Sequence, residues 1–294
     1  MHKVASYGIR LYDIGRNRNP WMDIKKYHAT KHLNSTSVKE ANKSLKRYKF
    51  AIDGPFKKST LAMDEGSAVH CKLGEPHLFT RDYVIKPHGM NFATKEGKAW
   101  KALEVEGRTI LSTEFGDKLK DIEAAFLDSP AAKYYEAEGD VEKSFFWDIA
   151  GNDRGGKCRP DWISKDRKTI VDLKTTTCAE SNSFQRTIMT YGYHISAAWY
   201  MWGIELATGI KPEEFIWVAI EKEAPYGIGV YKADTELLQY GSELCEEALI
   251  KINEAERTNS FPDYSDQVEM IGLPPWLKKK EGVTPQNYQE IELY

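Results

Sequence analysis

Cysteine is scarce: the 294 residues hold four, Cys71, Cys158, Cys178 and Cys245, with no Cys-x-x-Cys pair among them. That scatter excludes a disulfide scaffold, a zinc ribbon and a four-cysteine iron–sulfur cluster by recognisable spacing. Nothing at the amino-terminal end reads as a secretion signal and no apolar run is long enough for a bilayer, so a cytoplasmic location with no membrane partner is expected. Positive charge is not in excess either. The formal charge is −3, so any contact with nucleic acid must come from a local groove rather than a global field. Internal repeats and low-complexity tracts are missing, which excludes a solenoid. An aromatic share of 12% argues against disorder, and the length suffices for a sizeable core, read as one α/β domain.

The most informative segment that is present is Arg159-Pro160-Asp161-Trp162-Ile163, followed eleven residues after Asp161 by Asp172-Leu173-Lys174-Thr175-Thr176. Thr169 to Thr175 reads as a buried strand with charges cut into it, and alternation puts Asp172 and Lys174 on one face with Val171 and Leu173 behind. Lys157 to Ile163 reads as a second strand joined to it by the turn Ser164–Lys168, which brings Asp161 beside Asp172. Two carboxylates ~4 Å apart repel by about 4 kcal/mol at an effective dielectric near 20, so the arrangement calls for a cation. Lys174 supplies part of that charge. Oxygen ligands from two Asp residues suit Mg²⁺, or Mn²⁺, and a metal with open water positions beside a lysine is equipment for phosphodiester cleavage. Asp-x-Lys alone is common, and as an exposed pair it is worth only about 0–1 kcal/mol. The upstream Pro-Asp and the apolar packaging tip the balance to a site.

Residues 1–59 read as an arm plus a basic helix of the same domain, residues 60–260 as the core and 261–294 as a tail segment. The helix begins near Asn34–Ser37, with Val38, Ala41, Leu45 and Tyr48 on its apolar face and Lys39, Lys43, Lys46 and Lys49 on a face whose ordinary role is solvation. A second helix from Thr60 to Leu73 carries Gly66, Ser67 and Ala68, small enough for close approach to a sheet, and His70 one turn on. By local pattern His70 is more often a satisfied core residue. Arg81–Lys86 reads as a strand, Lys95–Glu106 and Ser112–Leu127 as helices, and Val141–Trp147 as a strand opening a three-stranded antiparallel meander. A long helix from Phe184 to Ala207 follows, carrying Tyr193, Ser196 and Tyr200 on one stripe. Strands Phe215–Glu221 and Ile228–Lys232 and the helix Thr235–Arg257 come next, the strand-helix-strand order implying a crossover. Leu273-Pro274-Pro275-Trp276 looks like a surface segment pinned by its tryptophan.

Taken together, Gly66-Ser67-Ala68-Val69-His70, Cys158-Arg159-Pro160-Asp161, Ile170 to Thr176, Tyr193-His194 through Tyr200 and Leu273 to Trp276 resemble, in order, the RecE-type (exonuclease VIII) branch of the PD-(D/E)XK nucleases. That superfamily includes lambda exonuclease and the RecB nuclease domain. The resemblance implies a central mixed sheet flanked by helices. It also implies an active-site set of His70, Asp161, Asp172 and Lys174, with His70, Asp161 and Asp172 holding metal and Lys174 serving the water. It further implies processive degradation of linear double-stranded DNA from the 5′ end, a single-strand annealing protein or recombinase as partner, and a ring-shaped homo-oligomer of three or four chains. The chain departs from the RecB-like pattern at Ser196, where relatives carry Gln four residues before the helix tyrosine; Ser reaches less far. Tyr193, Ser196 and Tyr200 are candidate DNA contacts. Arg154, Lys157, Arg159 and Arg186 flank the site as candidate phosphate contacts, with a plain surface role equally open to each. Glu142 is a weaker supporting candidate.

Two other readings compete. An endonuclease of restriction or repair type would cut closed circular DNA. A silent module for DNA ends would bind them without hydrolysis, though nothing physical would then maintain the repelling carboxylates.

Overall fold

Strands form where β-branched and aromatic residues alternate or run together, and the computed structural model, which describes residues 22–55 and 59–274, contains nine of them. They are β1 (Tyr83–Ile85), β2 (Thr109–Leu111), β3 (Gly139–Val141), β4 (Phe145–Ile149), β5 (Asn152–Cys158), β6 (Trp162–Ser164), β7 (Thr169–Thr176), β8 (Glu214–Glu221) and β9 (Ile228–Lys232). The central sheet has the order β3-β6-β7-β8-β9. Only β7 and β8 run parallel, joined by the helical crossover; the remaining neighbours are antiparallel, so the sheet is mixed. β4 and β5 make a separate hairpin, and β1 and β2 a short parallel pair.

Helices cover both faces because β8 is apolar on both, while β7 is apolar on the face of Val171 and Leu173 and carries Asp172 and Lys174 beyond Ile170 on the other. Phe215, Trp217 and Ala219 turn toward Phe184, Ile195, Trp199, Cys245 and Ile252, from the helices Ser181–Tyr191, Tyr193–Thr208 and Thr235–Thr258. Ile216, Val218 and Ile220, with Val171 and Leu173, turn toward Ala68, Val69, Phe115 and Ile122, from the helices Leu61–Gly74 and Thr113–Leu127. Each large side chain buried this way contributes about 1.5–3 kcal/mol before entropy is charged. The helix Leu61–Gly74 is capped by Thr60, whose Oγ1 accepts from the Met63 N–H at 3.3 Å. A side chain at Gly66 would already meet Thr175 Oγ1 at 3.3 Å, so small residues let this helix lie against β7.

Several boundaries differ from those read off the sequence. The single long helix is two, because Gly192 adopts the left-handed conformation (φ 64°) and caps Ser181–Tyr191 before Tyr193 starts the next. The basic helix is likewise two, Ser35–Lys43 and Leu45–Asp53, divided at Ser44, which caps the second. Arg81 and Asp82 end the helix Pro76–Asp82, leaving only Tyr83–Ile85 as strand. The meander is also split. Val141–Trp147 breaks at Glu142 (φ 49°) into β3 and β4, and Lys157–Ile163 breaks at Arg159-Pro160-Asp161 into β5 and β6, which belong to different sheets. Proline cannot donate to a ladder, and that break frees Asp161 from strand geometry. Residues 1–21 of the arm, and Pro275, Trp276 and Lys278–Lys280 of the tail, lie outside the described residues.

Candidate active site

β6 is short, and that shortness makes the site. Trp162 pairs with Val171 and Ile163 with Ile170, but from Asp172 onward β7 has only β8 beside it. The N–H of Leu173, left without a strand partner on that side, donates to Asp161 Oδ2 at 2.6 Å. One step beyond the last pair, the register sets Asp161 across from Asp172. The sheet opens there, and side chains from both helical layers reach the same place.

From one layer comes His70, whose Nδ1 lies 3.0 Å from Asp161 Oδ1. From the loop after β3 comes Glu142, its backbone N–H donating to the Asp161 carbonyl at 3.1 Å and its left-handed φ costing about 1–3 kcal/mol. Arg159 holds it: Nε donates to Glu142 Oε2 at 2.8 Å, while one terminal nitrogen donates to the Met22 carbonyl at 2.7 Å and Ser144 Oγ at 3.1 Å. Donor atoms of His70, Glu142 and Asp161 all lie within 4.8 Å of one another. Asp172 is not in that trio. Its Oδ2 is engaged by the Lys174 ammonium and receives no other hydrogen bond among the described residues. Lys174 also sits 5.2 Å from the centre of the Tyr193 ring and donates to the Leu173 carbonyl at 3.2 Å.

Electrostatics follow from burial. Desolvation, then the Asp161 charge, push the Glu142 carboxyl up to about 7 against the pull of Arg159. Burial raises Asp172 above its ordinary range despite Lys174, with Asp161 adding to the rise. Asp161 behaves oppositely: burial works to raise it, but the His70 imidazole and the Leu173 N–H hold it below the usual range. Burial opposes the charge on Lys174 and His70, and the neighbouring carboxylates outweigh it in both. Three carboxyl groups, Glu142, Asp161 and Asp172, thus crowd together beside Lys174 and Arg159. A carboxylate pair with an imidazole, their donor atoms within 4.8 Å of one another, is a donor set that fits a divalent cation of the Mg²⁺ or Mn²⁺ kind.

Other expected residues divide. Tyr200 lies in the same layer against Phe215, ring centres 6.3 Å apart, with Asp172 and Asp161 among the charges that, after burial, hold its phenol neutral. Ser196 is buried on the same helix, and Arg186 is exposed one helix earlier. Lys157 is a correction. It is 2% exposed, and its ammonium is spent on the Tyr27 carbonyl (2.8 Å) and on the Thr30 carbonyl and hydroxyl (2.9 and 3.0 Å), so no phosphate can reach it. Arg154 is likewise engaged, Nε with Glu256 at 2.5 Å and a terminal nitrogen with Asp53 at 3.3 Å. Arg159 serves Glu142 rather than solvent, its side chain 11% exposed.

Two residues carry more than the sequence suggested. Glu142 joins His70 and Asp161 in the trio whose donor atoms are close enough to hold a metal ion; the available signal was a glutamate interrupting an otherwise strand-like run. Lys39 leaves the solvated face: its stem packs so closely on Gly192 that a Cβ there would meet Lys39 Cδ at 2.8 Å. Burial, then the Lys174 charge, lower its pKa to about 8, with Asp172 pulling the other way. Lys43, Lys46 and Lys49 pair instead with Glu40, Asp263 and Asp53.

The family described as "PDDEXK-like domain of unknown function (DUF3799)" matches residues 23–274. The chain belongs to that family. Among solved structures, a candidate exonuclease from Eubacterium rectale aligns with 88% of this chain and 98% of its own at a TM-score of 0.61 and 14% identity, which shows a shared fold. A phage-related exonuclease from Haemophilus somnus 129PT (13% identity, 78% and 96% covered, TM-score 0.34) and an alkaline exonuclease from Laribacter hongkongensis (12%, 80% and 96%, 0.29) superpose too loosely to add to that. No curated protein matches the sequence. Among the described residues no helix is long and apolar enough to cross a membrane.

Proposed function

We propose that this PDDEXK-like domain is a divalent-metal-dependent DNA exonuclease that acts on linear duplexes, trimming from the 5′ end to leave 3′ single strands for an annealing protein or recombinase. The observation that carries the reading is the convergence of His70, Glu142 and Asp161 on one side, and the Asp172–Lys174 pair on the other, at the point where β6 stops. His70, Glu142 and Asp161 would hold Mg²⁺ or Mn²⁺, with Asp172 as the adjoining acidic group. When bound, the ion supplies charge stabilisation at a phosphoryl oxygen and a more acidic water. Lys174 presents N–H donors to an attacking water or a non-bridging phosphate oxygen, and Asp172 fixes that ammonium in place. Arg159 restrains Glu142, Tyr193 covers Lys174, and Lys39 adds a second ammonium close enough to feel the charges of Lys174 and Asp172. A ring of three or four chains would keep a duplex threaded past this opening.

The test is digestion of duplexes labelled separately at each 5′ and 3′ end, with Mg²⁺, Mn²⁺ and Ca²⁺ compared and closed circular DNA alongside. Loss of 5′ label first, in Mg²⁺ or Mn²⁺ and with circles spared, is the expected result. Cutting of circles would replace the exonuclease reading with an endonuclease, and binding of ends without hydrolysis in any metal would leave only a DNA-end module.

A further inference from the structure

Tyr135 lies in the short helix Ala132–Glu136, and its hydroxyl is buried with no hydrogen-bond partner among the described residues. Its ring is fixed by three contacts, two of them with residues that neighbour site residues in the chain. It meets Phe126 edge-on at 5.4 Å and lies 6.5 Å from Trp162, the residue that follows Asp161. A Cβ on Gly74 would stand 3.6 Å from its Cε1, and Gly74 is four residues past His70, one turn along the same helix face. Burial, followed by the charges of Asp161, Glu142 and Asp172, pushes its ionisation well above the ordinary range, so the group is a neutral donor. Among the described residues no carboxylate lies within hydrogen-bond distance of it. A buried O–H with nothing to donate to costs stability, and such groups are rare in folded proteins unless an absent water or ligand completes them.

We propose that the Tyr135 hydroxyl is a donor reserved for a ligand oxygen, on a water or a phosphate, seated between it and the His70–Glu142–Asp161 cluster. The proposal rests on the metal-dependent reading given above. It makes Tyr135 part of the binding machinery although it lies in a segment with no motif. A phenol suits the task because it donates without adding charge to a place already crowded with carboxylates, whereas a lysine there would compete with the cation. A bridging water would draw its remaining hydrogen bonds from Glu142 or Asp161.

The test compares Tyr135→Phe with the wild-type full chain in three measurements: denaturant stability in EDTA, Mn²⁺ affinity without DNA, and affinity for duplex DNA in Ca²⁺. The Phe variant is expected to be as stable as wild type in EDTA or more so, because it loses an unpaired hydroxyl. Loss of one hydrogen bond should weaken one affinity by about 3- to 10-fold. A weaker Mn²⁺ site places the oxygen on a water of the cation's shell, and weaker DNA binding with unchanged Mn²⁺ affinity places it on a phosphate. The proposal is overturned if both affinities are unchanged, or if the Phe variant is less stable in EDTA, which would show the hydroxyl already paired within the protein. Wild-type protein that binds neither Mn²⁺ nor DNA overturns the parent reading instead, and this one with it.

Discussion

Lys157 and Lys174 are both drawn into the interior, seventeen positions of strand and turn apart, yet they do opposite work. Lys174 is placed against a carboxylate, and its charge is favoured. The Lys157 ammonium meets carbonyl and hydroxyl oxygens and lies 4.6 Å from the centre of the Tyr27 ring, and burial, with Lys31 adding to it, lowers its pKa to about 8. The difference teaches what a buried cation is for. An ion pair with a partly unsatisfied carboxylate is incomplete and leaves room for a ligand, whereas three neutral acceptors within 3.0 Å complete a structural clamp between β5 and the Ile24–Ala29 helix.

Breaking the active side of that contrast should have the largest effect. Lys174→Met and Asp172→Asn should each lower metal-dependent DNA hydrolysis by on the order of 10²–10⁴-fold with the far-ultraviolet circular dichroism unchanged, measured in single-turnover digests. Full activity in both would remove the site assignment. Arg159→Met frees Glu142 without touching the trio itself, and should weaken Mn²⁺ binding by roughly 10- to 100-fold in a calorimetric titration. On the structural side, Lys157→Met deprives the Thr30 carbonyl of its donor and should cost about 1–3 kcal/mol in denaturant unfolding, while the rate per folded molecule stays the same. A rate loss without a stability loss would move Lys157 back to the DNA side.

The smallest effect is expected from pH, through Lys39. Its folded pKa of about 8 is below the unfolded value, so the group is charged in the native state only below that point. DNA affinity should therefore fall a few-fold as pH rises through about 8, and the fall should vanish in Lys39→Met. For the same reason the charged form is a burden on the fold below pH 8, and this group's contribution to stability improves from there toward the unfolded pKa. A pH-independent affinity in the wild-type chain would return Lys39 to the solvated face.

Much of the fold was legible because its signals are local. Thr169–Thr176 and Glu214–Glu221 announce themselves by β-branched and aromatic runs, and the helix after Asn34 by its capping chemistry. Boundaries set by one residue's conformation were less so. Gly192 ends a helix whose apolar pattern continues through it, and Pro160 divides a run that otherwise reads as one strand. Glu142 was hard to place because a left-handed glutamate is paid for by Arg159 and the Asp161 carbonyl, partners distant in sequence. Arg154, Lys157 and Arg159 all read alike as basic residues beside a motif; nothing in their spacing says which carboxylate or carbonyl each will find.

By itself the sequence determined the strand that carries Asp172 and Lys174, the proline that releases Asp161, and the helix that carries His70, since each depends on alternation or turn chemistry over a few residues. Only the tertiary structure decided that Glu142 completes the cluster, that Lys39 turns inward over Gly192 and that Lys157 turns away. Those outcomes depend on which groups burial brings together, and the energy of a buried charge is set by its neighbours in space rather than by its neighbours in the chain.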